Sequence, residues 1–303
     1  MTAISHITVC ICTYKRSEML RQLLLKLEDQ KTGALFKYSI VIVDNDRLES
    51  ARQIVEFSSR EMQTSVSYFV EPEQNIALAR NKAIENAKGD FIAFIDDDEF
   101  PQEDWLLNLY RAIRKFCTDG VLGPVMPFFE KDPPQWIING KFCHRETFAT
   151  GTIFKNANNT RTGNVLFDKK IFADRENVFN PIFGKTGGED CDFFRRTIKK
   201  GFVFAWCNEA VVYEIVSGQR MNRAYFIKRA LVQGIAFSNS TKLSFRSFDG
   251  FKSIIAITIY TLMLPVLILI RHDLFMKYLI KDCDHLGKLL SLCGLKIVKE
   301  RGF

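Results

Sequence analysis

Asp96, Asp97, Asp98 and Glu99 follow one another in the stretch GDFIAFIDDDEFP (residues 89–101), directly after five apolar residues at 91–95. Adjacent carboxylates raise each other's pKa, so four in a row demand a positive partner. The plain reading is a solvated acidic turn. The chemical reading is a divalent cation, since hard ions take carboxylate oxygens and keep positions open for substrate phosphates. A second acidic pair, Glu189 and Asp190, stands far downstream in FGKTGGEDCDFFRR (residues 183–196). Acids at a helix start are favoured by its dipole, and a carboxylate there is also suited to take a proton from a hydroxyl. Strand-end acids, a separate acidic pair and several arginines together suit a metal-bound nucleoside diphosphate served by a separate base.

The elements that must position these groups are legible in the changing period of the chain. HITVCICTY (6–14), YSIVIVDND (38–46), SVSYFV (65–70) and FIAFID (91–96) are runs of strand length and type. Between them, SEMLRQLLLKLEDQ (17–30) with Ser17 as N-cap, residues 48–60, and NIALARNKAIENAKG (75–89) closed by glycine have helical spacing. Strands alternating with helices predict an open α/β sheet, mostly parallel. Ligands of such sheets lie beyond the carboxyl ends of the strands. Thr13 and Tyr14, Asp44 and Asp46, and the run from Asp96 to Asp98 all fall at such ends. Further on, the patterns predict a helix over 103–116, a strand over 120–129 and a proline-rich loop over 130–142. A turn, strand and short helix follow over 161–172, then a glycine turn and helix over 183–201. Strands over 202–207 and 209–216 and a helix over 222–238 complete the pattern.

Several classes are excluded or disfavoured. The turn after the first strand, CTYKRSE, has no glycine for a dinucleotide pyrophosphate, and no Walker A loop occurs. A phosphatase with a strand-end Asp nucleophile leaves the acids near 189 without a task. The eight cysteines lack paired metal spacing, which predicts reduced thiols rather than zinc or a disulfide frame. Met1 to Ser5 is short and uncharged, so no signal peptide is expected. Apolar residues make up 47% of the chain, which allows a large core and excludes wholesale disorder.

Charge is uneven. Residues 221–303 carry 13 Lys or Arg against 5 Asp or Glu, whereas residues 1–220 carry 29 against 30. The basic part contains IIAITIYTLMLPVLILI (254–270), a 17-residue uncharged segment bracketed by Lys252 and Arg271. That length is at the short end for a membrane span, and Pro265 lies inside it. A core helix, an interfacial or re-entrant segment and one short span are the open candidates. The lysines that follow, Lys277, Lys281, Lys288, Lys296 and Lys299, favour an anionic membrane surface over nucleic acid. The expected division is a catalytic domain at 1–220 and a basic helical region at 221–303.

VCICTYKR, VIVDND, EPEQNIALARNKAIENAKGDFIAFIDDDEFP, GVLGPV, RTGNVLF and FGKTGGEDCDFFRR occur in that order. This ordered set resembles the family 2 glycosyltransferases of GT-A fold, and within them the ExoM-like enzymes of bacterial exopolysaccharide assembly. The resemblance covers about residues 6–235. It implies a Rossmann-like, mostly parallel mixed sheet flanked by helices, to which the apolar and basic run beyond it adds a C-terminal helical extension expected to associate with membranes. Thr13 and Asp44 then contact the nucleotide base and ribose, and Arg80 lies near the nucleotide. Tyr14, Arg16, Asp46, Glu189 and Arg220 group with them around the nucleotide sugar. Asp96 and Asp98 match the motif that binds Mn²⁺ or Mg²⁺ and, through it, the diphosphate, while Asp97 contacts sugar or ribose. Glu189 and Asp190 match the acidic pair whose second member is the general base. Arg220 or Arg229 would help to neutralise the departing diphosphate.

Many relatives have a metal-ligating His where this chain has Glu214, which leaves Glu214 between metal ligation and strand capping. The Q-x-x-R-W motif of processive relatives is unmatched by QRMNRAYF, so addition of a single sugar is expected. The implied reaction is inverting. A UDP-hexose, glucose by analogy, gives a β-glycoside on a lipid-linked oligosaccharide or a lipopolysaccharide or exopolysaccharide precursor. The expected location is cytoplasmic, peripheral on the cytosolic face of the inner membrane. Two readings from other classes stay open. A non-catalytic sugar-nucleotide scaffold would bind without turnover, and a metal-dependent nucleotidyltransferase would release pyrophosphate instead of UDP.

Overall fold

β1 (Ser5–Thr13) is the axis of a seven-stranded sheet, with β2 (Phe36–Asp44) and β4 (Phe91–Ile95) on either side of it and parallel to it. β3 (Val66–Val70) continues the parallel run beyond β2. On the other flank β8 (Asn164–Asp168) is antiparallel to both β4 and β6 (Gly120–Leu122), and β9 (Phe204–Trp206) pairs parallel with β6. The strand order is β3-β2-β1-β4-β8-β6-β9. A mostly parallel mixed sheet was the expectation from sequence, and the antiparallel insertion is confined to β8. The computed structural model describes residues 4–174, 178–185, 187–241 and 248–294.

Contacts divide the chain into two units. The first comprises Met1–Met126, Arg145–Lys185 and Glu189–Glu214; the second comprises Pro127–His144, Thr186–Gly188 and Ile215–Phe303. Sequence reading placed one boundary at 220, whereas the contacts group 127–144 and 215–220 with the C-terminal helices.

In the first unit, strand alternation splits the core between the two sheet faces. Ile7, Val9, Ile11, Ile40 and Ile42 pack with α1 (Ser17–Glu28), α2 (Arg52–Glu61) and α4 (Trp105–Phe116). Cys10, Val41, Val43, Ile92 and Phe94 pack with α3 (Ile76–Asn86) and α6 (Glu189–Lys199). Each helix turns an apolar stripe inward, as in the Leu20, Leu23, Leu24 and Leu27 row of α1. Asn75 caps α3 by accepting from the N–H groups of Ala77 and Leu78. Asn164, at the head of β8, accepts from the Trp105 indole at 2.8 Å and donates to the carbonyls of Pro124 and Ala210. This network pins the loop that carries Thr162 and Gly163.

Four local expectations are corrected. Arg16, not Ser17, occupies the N-cap position of α1, and the Ser17 hydroxyl donates to the Ser50 carbonyl instead. The run 120–129 is broken at Gly123 and Pro124 into β6 and β7 (Val125–Phe129). A Cβ at Gly123 would stand 2.3 Å from the Ala210 carbonyl oxygen, and Pro124 offers no N–H to a ladder. The proline-rich loop contains a short helix, α5 (Gln135–Gly140). β10 (Val212–Val216) starts three residues later than expected and pairs antiparallel with β5 (Glu99–Pro101), a short strand that the sequence pattern did not announce.

The second unit is helical. α9 (His272–Leu292) packs against α5, α7 (Arg223–Thr241) and α8 (Phe248–Ile270). α7 and α9 approach closely because glycines face the crossing. A Cβ on Gly234 would lie 2.0 Å from the Asp284 carbonyl oxygen, and one on Gly287 would lie 2.3 Å from that of Leu231. Trp136, Phe142 and Phe226 stack tilted or edge-on beside Ile137, Val216 and Met221 to make a small aromatic core. Of the basic tail, Lys296 and Lys299 lie outside the described residues.

Candidate active site

The carboxyl ends of β2 and β4 and the first turn of α6 supply the acids, and arginines answer them. Arg16 Nη1 donates to Asp97 Oδ1 at 2.9 Å and to Asp98 Oδ2 at 3.2 Å. The Thr13 hydroxyl donates to the other Asp97 oxygen at 2.8 Å. Arg80 Nη1 donates to Glu189 Oε1 at 2.7 Å and to Asp190 Oδ1 at 2.6 Å, and its Nη2 lies 3.7 Å from Asp96 Oδ1. Arg145 pairs with Glu214 and lies 3.9 Å from Glu99. The positive partners that the acidic run requires are therefore Arg16, Arg80 and Arg145.

Arg80 is the hub. It sits on the inner face of α3 among Ala77, Ala79 and Ala83, whose small side chains leave room for a guanidinium. Its side chain is only 7% exposed. Burial opposes its charge, but Asp190, Glu189 and Asp96 together overcome that and hold its pKa above the usual range. Glu189 is pushed up chiefly by burial, then by Asp190, against the pull of Arg80. Its Oε2 has no hydrogen-bond partner. Asp190 is held from two sides, since the Thr162 hydroxyl donates to the same Oδ1 at 2.7 Å. Its Oδ2 meets only a long 3.4 Å contact from the Thr162 N–H. Asp190 is thus oriented by two donors on one oxygen and keeps the other accessible, the disposition a general base needs.

The end of β4 is electrostatically loaded. Burial, and then Asp98, Asp190 and Asp97, push Asp96 up to about 7 against the pull of Arg80. Glu99 is held well above the carboxylate range, first by burial and then by Asp96. Asp97 is raised by burial and Asp98 while Arg16 and Thr13 pull it back. A Cβ at Gly163 would stand 2.9 Å from both Asp96 Oδ2 and Glu99 Oε1, so glycine there keeps those oxygens clear. Glu99 Oε1 is buried without a hydrogen-bond partner. Asp96 and Asp98 are hard oxygen donors and fit Mg²⁺ or Mn²⁺. No group of three or more His, Cys, Asp or Glu is arranged as a metal cage among the described residues. A cation at Asp96 and Asp98 would therefore complete its shell with substrate oxygens or water, the habit of Mg²⁺ at phosphate sites.

Other expected residues have different surroundings. Asp44 is fully buried and accepts from the N–H groups of Asp46 and Ala51 and from the Tyr68 hydroxyl, which shapes the 45–51 turn. Asp46 accepts from the Leu48 N–H. Tyr14 is half-buried, with Lys15 over its ring. Glu214 pairs with Arg145 and stands opposite Glu99 in the register of β10 and β5. Arg220 closes a 3-10 turn (Gly218–Arg220) in the second unit. Sequence reading assigned no role to Thr162 or Arg145. The first was within reach, because it lies inside the RTGN run.

Polar groups at the carboxyl ends of parallel strands, with an acidic cluster after β4 and an oriented carboxylate on α6, are the layout of a GT-A glycosyltransferase. The family model Glycosyl transferase family 2 matches residues 8–175, and the chain belongs to that family. It is 35% identical over 233 residues to the succinoglycan biosynthesis protein ExoM of Rhizobium meliloti, covering 76% of this chain and 73% of that one. It is 25% identical to the glucosyl-dolichyl phosphate glucuronosyltransferase of Haloferax volcanii, over 80% of this chain and 74% of that one. Its fold is like that of the crystal structure of S. aureus TarS 1-349 in complex with UDP-GlcNAc. The TM-score is 0.53 at 15% identity, over 97% of this chain and 93% of that one. The chain is a glycosyltransferase.

Proposed function

We propose that the enzyme is an inverting, metal-dependent, non-processive transferase. It moves one hexose, glucose in the first instance, from a UDP-sugar to a lipid-linked oligosaccharide or to a lipopolysaccharide or exopolysaccharide precursor, and acts in polysaccharide biosynthesis at an anionic membrane surface on the cytosolic side. The observation that carries this reading is Arg80, which ties the proposed base Asp190 to the metal-side carboxylate Asp96. Support for the donor comes from the TarS structure with UDP-GlcNAc, and for the pathway from the name of the ExoM relative.

Asp96 and Asp98 would hold Mg²⁺ or Mn²⁺, which when bound offsets negative charge on the diphosphate. Thr13 and Arg16 keep Asp97 and Asp98 in place and set the floor on which the nucleotide rests. Asp190 Oδ2 accepts the proton of an acceptor hydroxyl. The acceptor oxygen forms its bond to the anomeric carbon on the face opposite the diphosphate, as the bond from that carbon to UDP breaks. One displacement inverts the configuration. Arg80 and Thr162 hold Asp190 through this step and move no proton themselves.

The test is UDP release from a panel of UDP-sugars in Mn²⁺ or Mg²⁺, with membrane lipid extract as acceptor source. UDP released from one donor and abolished by EDTA is the expected result. Pyrophosphate in place of UDP would make the protein a nucleotidyltransferase, and donor binding without any product would make it a scaffold.

A further inference from the structure

α8 presents two different faces. Ser253, Tyr260, Leu264 and Leu267 lie on the half-covered or buried side. Ser253 contacts His285 at 3.0 Å, Tyr260 stacks beside Tyr278, and Thr261 donates to Asp282 at 3.2 Å. These contacts lie along the first half of α8, up to its middle, and pair it antiparallel with α9. The opposite side is a continuous apolar stripe: Phe251, Ile255, Ile259, Leu262, Val266 and Leu269 recur every three or four residues and share one face. Leu262 is 74% exposed and Leu269 86%. The apolar window Gly250–Ile270 is only 6% buried, so α8 is not a core helix.

Its length would allow a span, since 23 residues reach about 35 Å. Its companion would not. α9 carries Lys277, Lys281, Asp282, Asp284, His285 and Lys288 beside the apolar length of α8, and Asp282 bonds near the middle of it. If α8 crossed a bilayer, these groups would follow it to midplane depth, where ionisable side chains are costly.

We propose that α8 lies in the plane of the membrane. Its outer stripe would sink into the acyl boundary of one leaflet while α9 stays on the aqueous side. Lys252 and Arg271, exposed at the two ends of the apolar run, would meet anionic headgroups there. Arg271 also pairs with Asp273, so Lys252 is the stronger of the two headgroup contacts. The proposal rests on the membrane-surface part of the functional reading and is independent of the transfer chemistry.

The experiment uses the full chain with Phe251→Trp, Leu262→Trp or Leu269→Trp, each on the exposed stripe, and vesicles of equimolar phosphatidylcholine and phosphatidylglycerol. Part of the phosphatidylcholine carries bromines near the headgroup, at mid-chain or at the chain end. Quenching of the added tryptophan is read as the difference from the parent protein. In-plane insertion predicts that all three positions are quenched most by the shallow bromines and stand at a common depth. Deepest quenching at Leu262→Trp with shallow ends would mean a span. That would overturn the in-plane geometry and leave the membrane reading intact. No added quenching at any position would overturn both. The double variant Leu262→Glu, Leu269→Glu is expected to weaken vesicle binding at least about 100-fold while UDP binding is retained.

Discussion

Two arginine–carboxylate clusters stand at the same end of the sheet and are built on opposite terms. Arg80 is 7% exposed and grips Glu189 and Asp190 at 2.7 and 2.6 Å. Arg16 keeps 34% of its side chain in solvent and holds Asp97 and Asp98 at 2.9 and 3.2 Å. A buried charge cannot be left alone, so the first cluster is locked once formed. In the second cluster only the arginine reaches solvent, its carboxylates being 5% and 9% exposed, so Arg16 can exchange partners with a ligand while Thr13 still holds Asp97. The difference assigns roles. The Arg80 cluster fixes a base, and the Arg16 cluster is a surface that an anionic substrate can rearrange.

The largest effect that could break this comparison is on stability. Arg80→Ala strands Glu189 and Asp190 and is expected to cost about 3–5 kcal/mol of unfolding free energy, measured by urea denaturation. A loss no greater than that of Arg16→Ala would erase the distinction. Next is Thr162→Val, which removes one hydrogen bond to a charged acceptor. It should lower kcat about tenfold with KM for the donor unchanged, in a steady-state assay of UDP release. Arg16→Ala leaves Asp97 its Thr13 bond and should cost about 1–3 kcal/mol of stability, less than Arg80→Ala, but weaken UDP binding roughly tenfold by calorimetry. The smallest effect is on pH. Asp96 is pushed up to about 7, so a proton competes for it below that value. Metal-dependent UDP affinity should therefore rise with pH and level off above about 7. Since 45% of the Asp96 side chain is open to water, burial raises its carboxyl less than full enclosure would, and the rise should centre below that value.

What was legible in the sequence was whatever chemistry is written locally. The acids after Ile95 stood out because an apolar strand ran straight into them, and the α/β order followed from the alternation of periods. The register Thr13↔Asp44, which puts two polar strand ends side by side, follows from parallel pairing once the strands are placed. The partners were not legible. Resemblance placed Arg80 near the nucleotide, but its carboxylate partners emerge only when α3 docks its alanine face on the sheet. Arg145 meets Glu214 across 69 residues of chain, and no local period records such a pairing. β5 is three residues long and exists only because β10 comes beside it. The apolar run at 254–270 left a core helix, an interfacial segment and a span open, because the choice depends on the exposure of α8 and the charges of α9 beside it.

The most direct test separates the two roles at the strand ends. UDP binding in Mn²⁺ and sugar transfer are measured together for the parent enzyme, Asp98→Ala and Asp190→Asn. The predicted result is that Asp98→Ala loses metal-dependent UDP binding, while Asp190→Asn binds UDP as the parent does and loses transfer by about 10²–10⁴-fold. Transfer at the parent rate by Asp190→Asn, or undiminished metal-dependent binding by Asp98→Ala, would contradict the assignment of base and metal side.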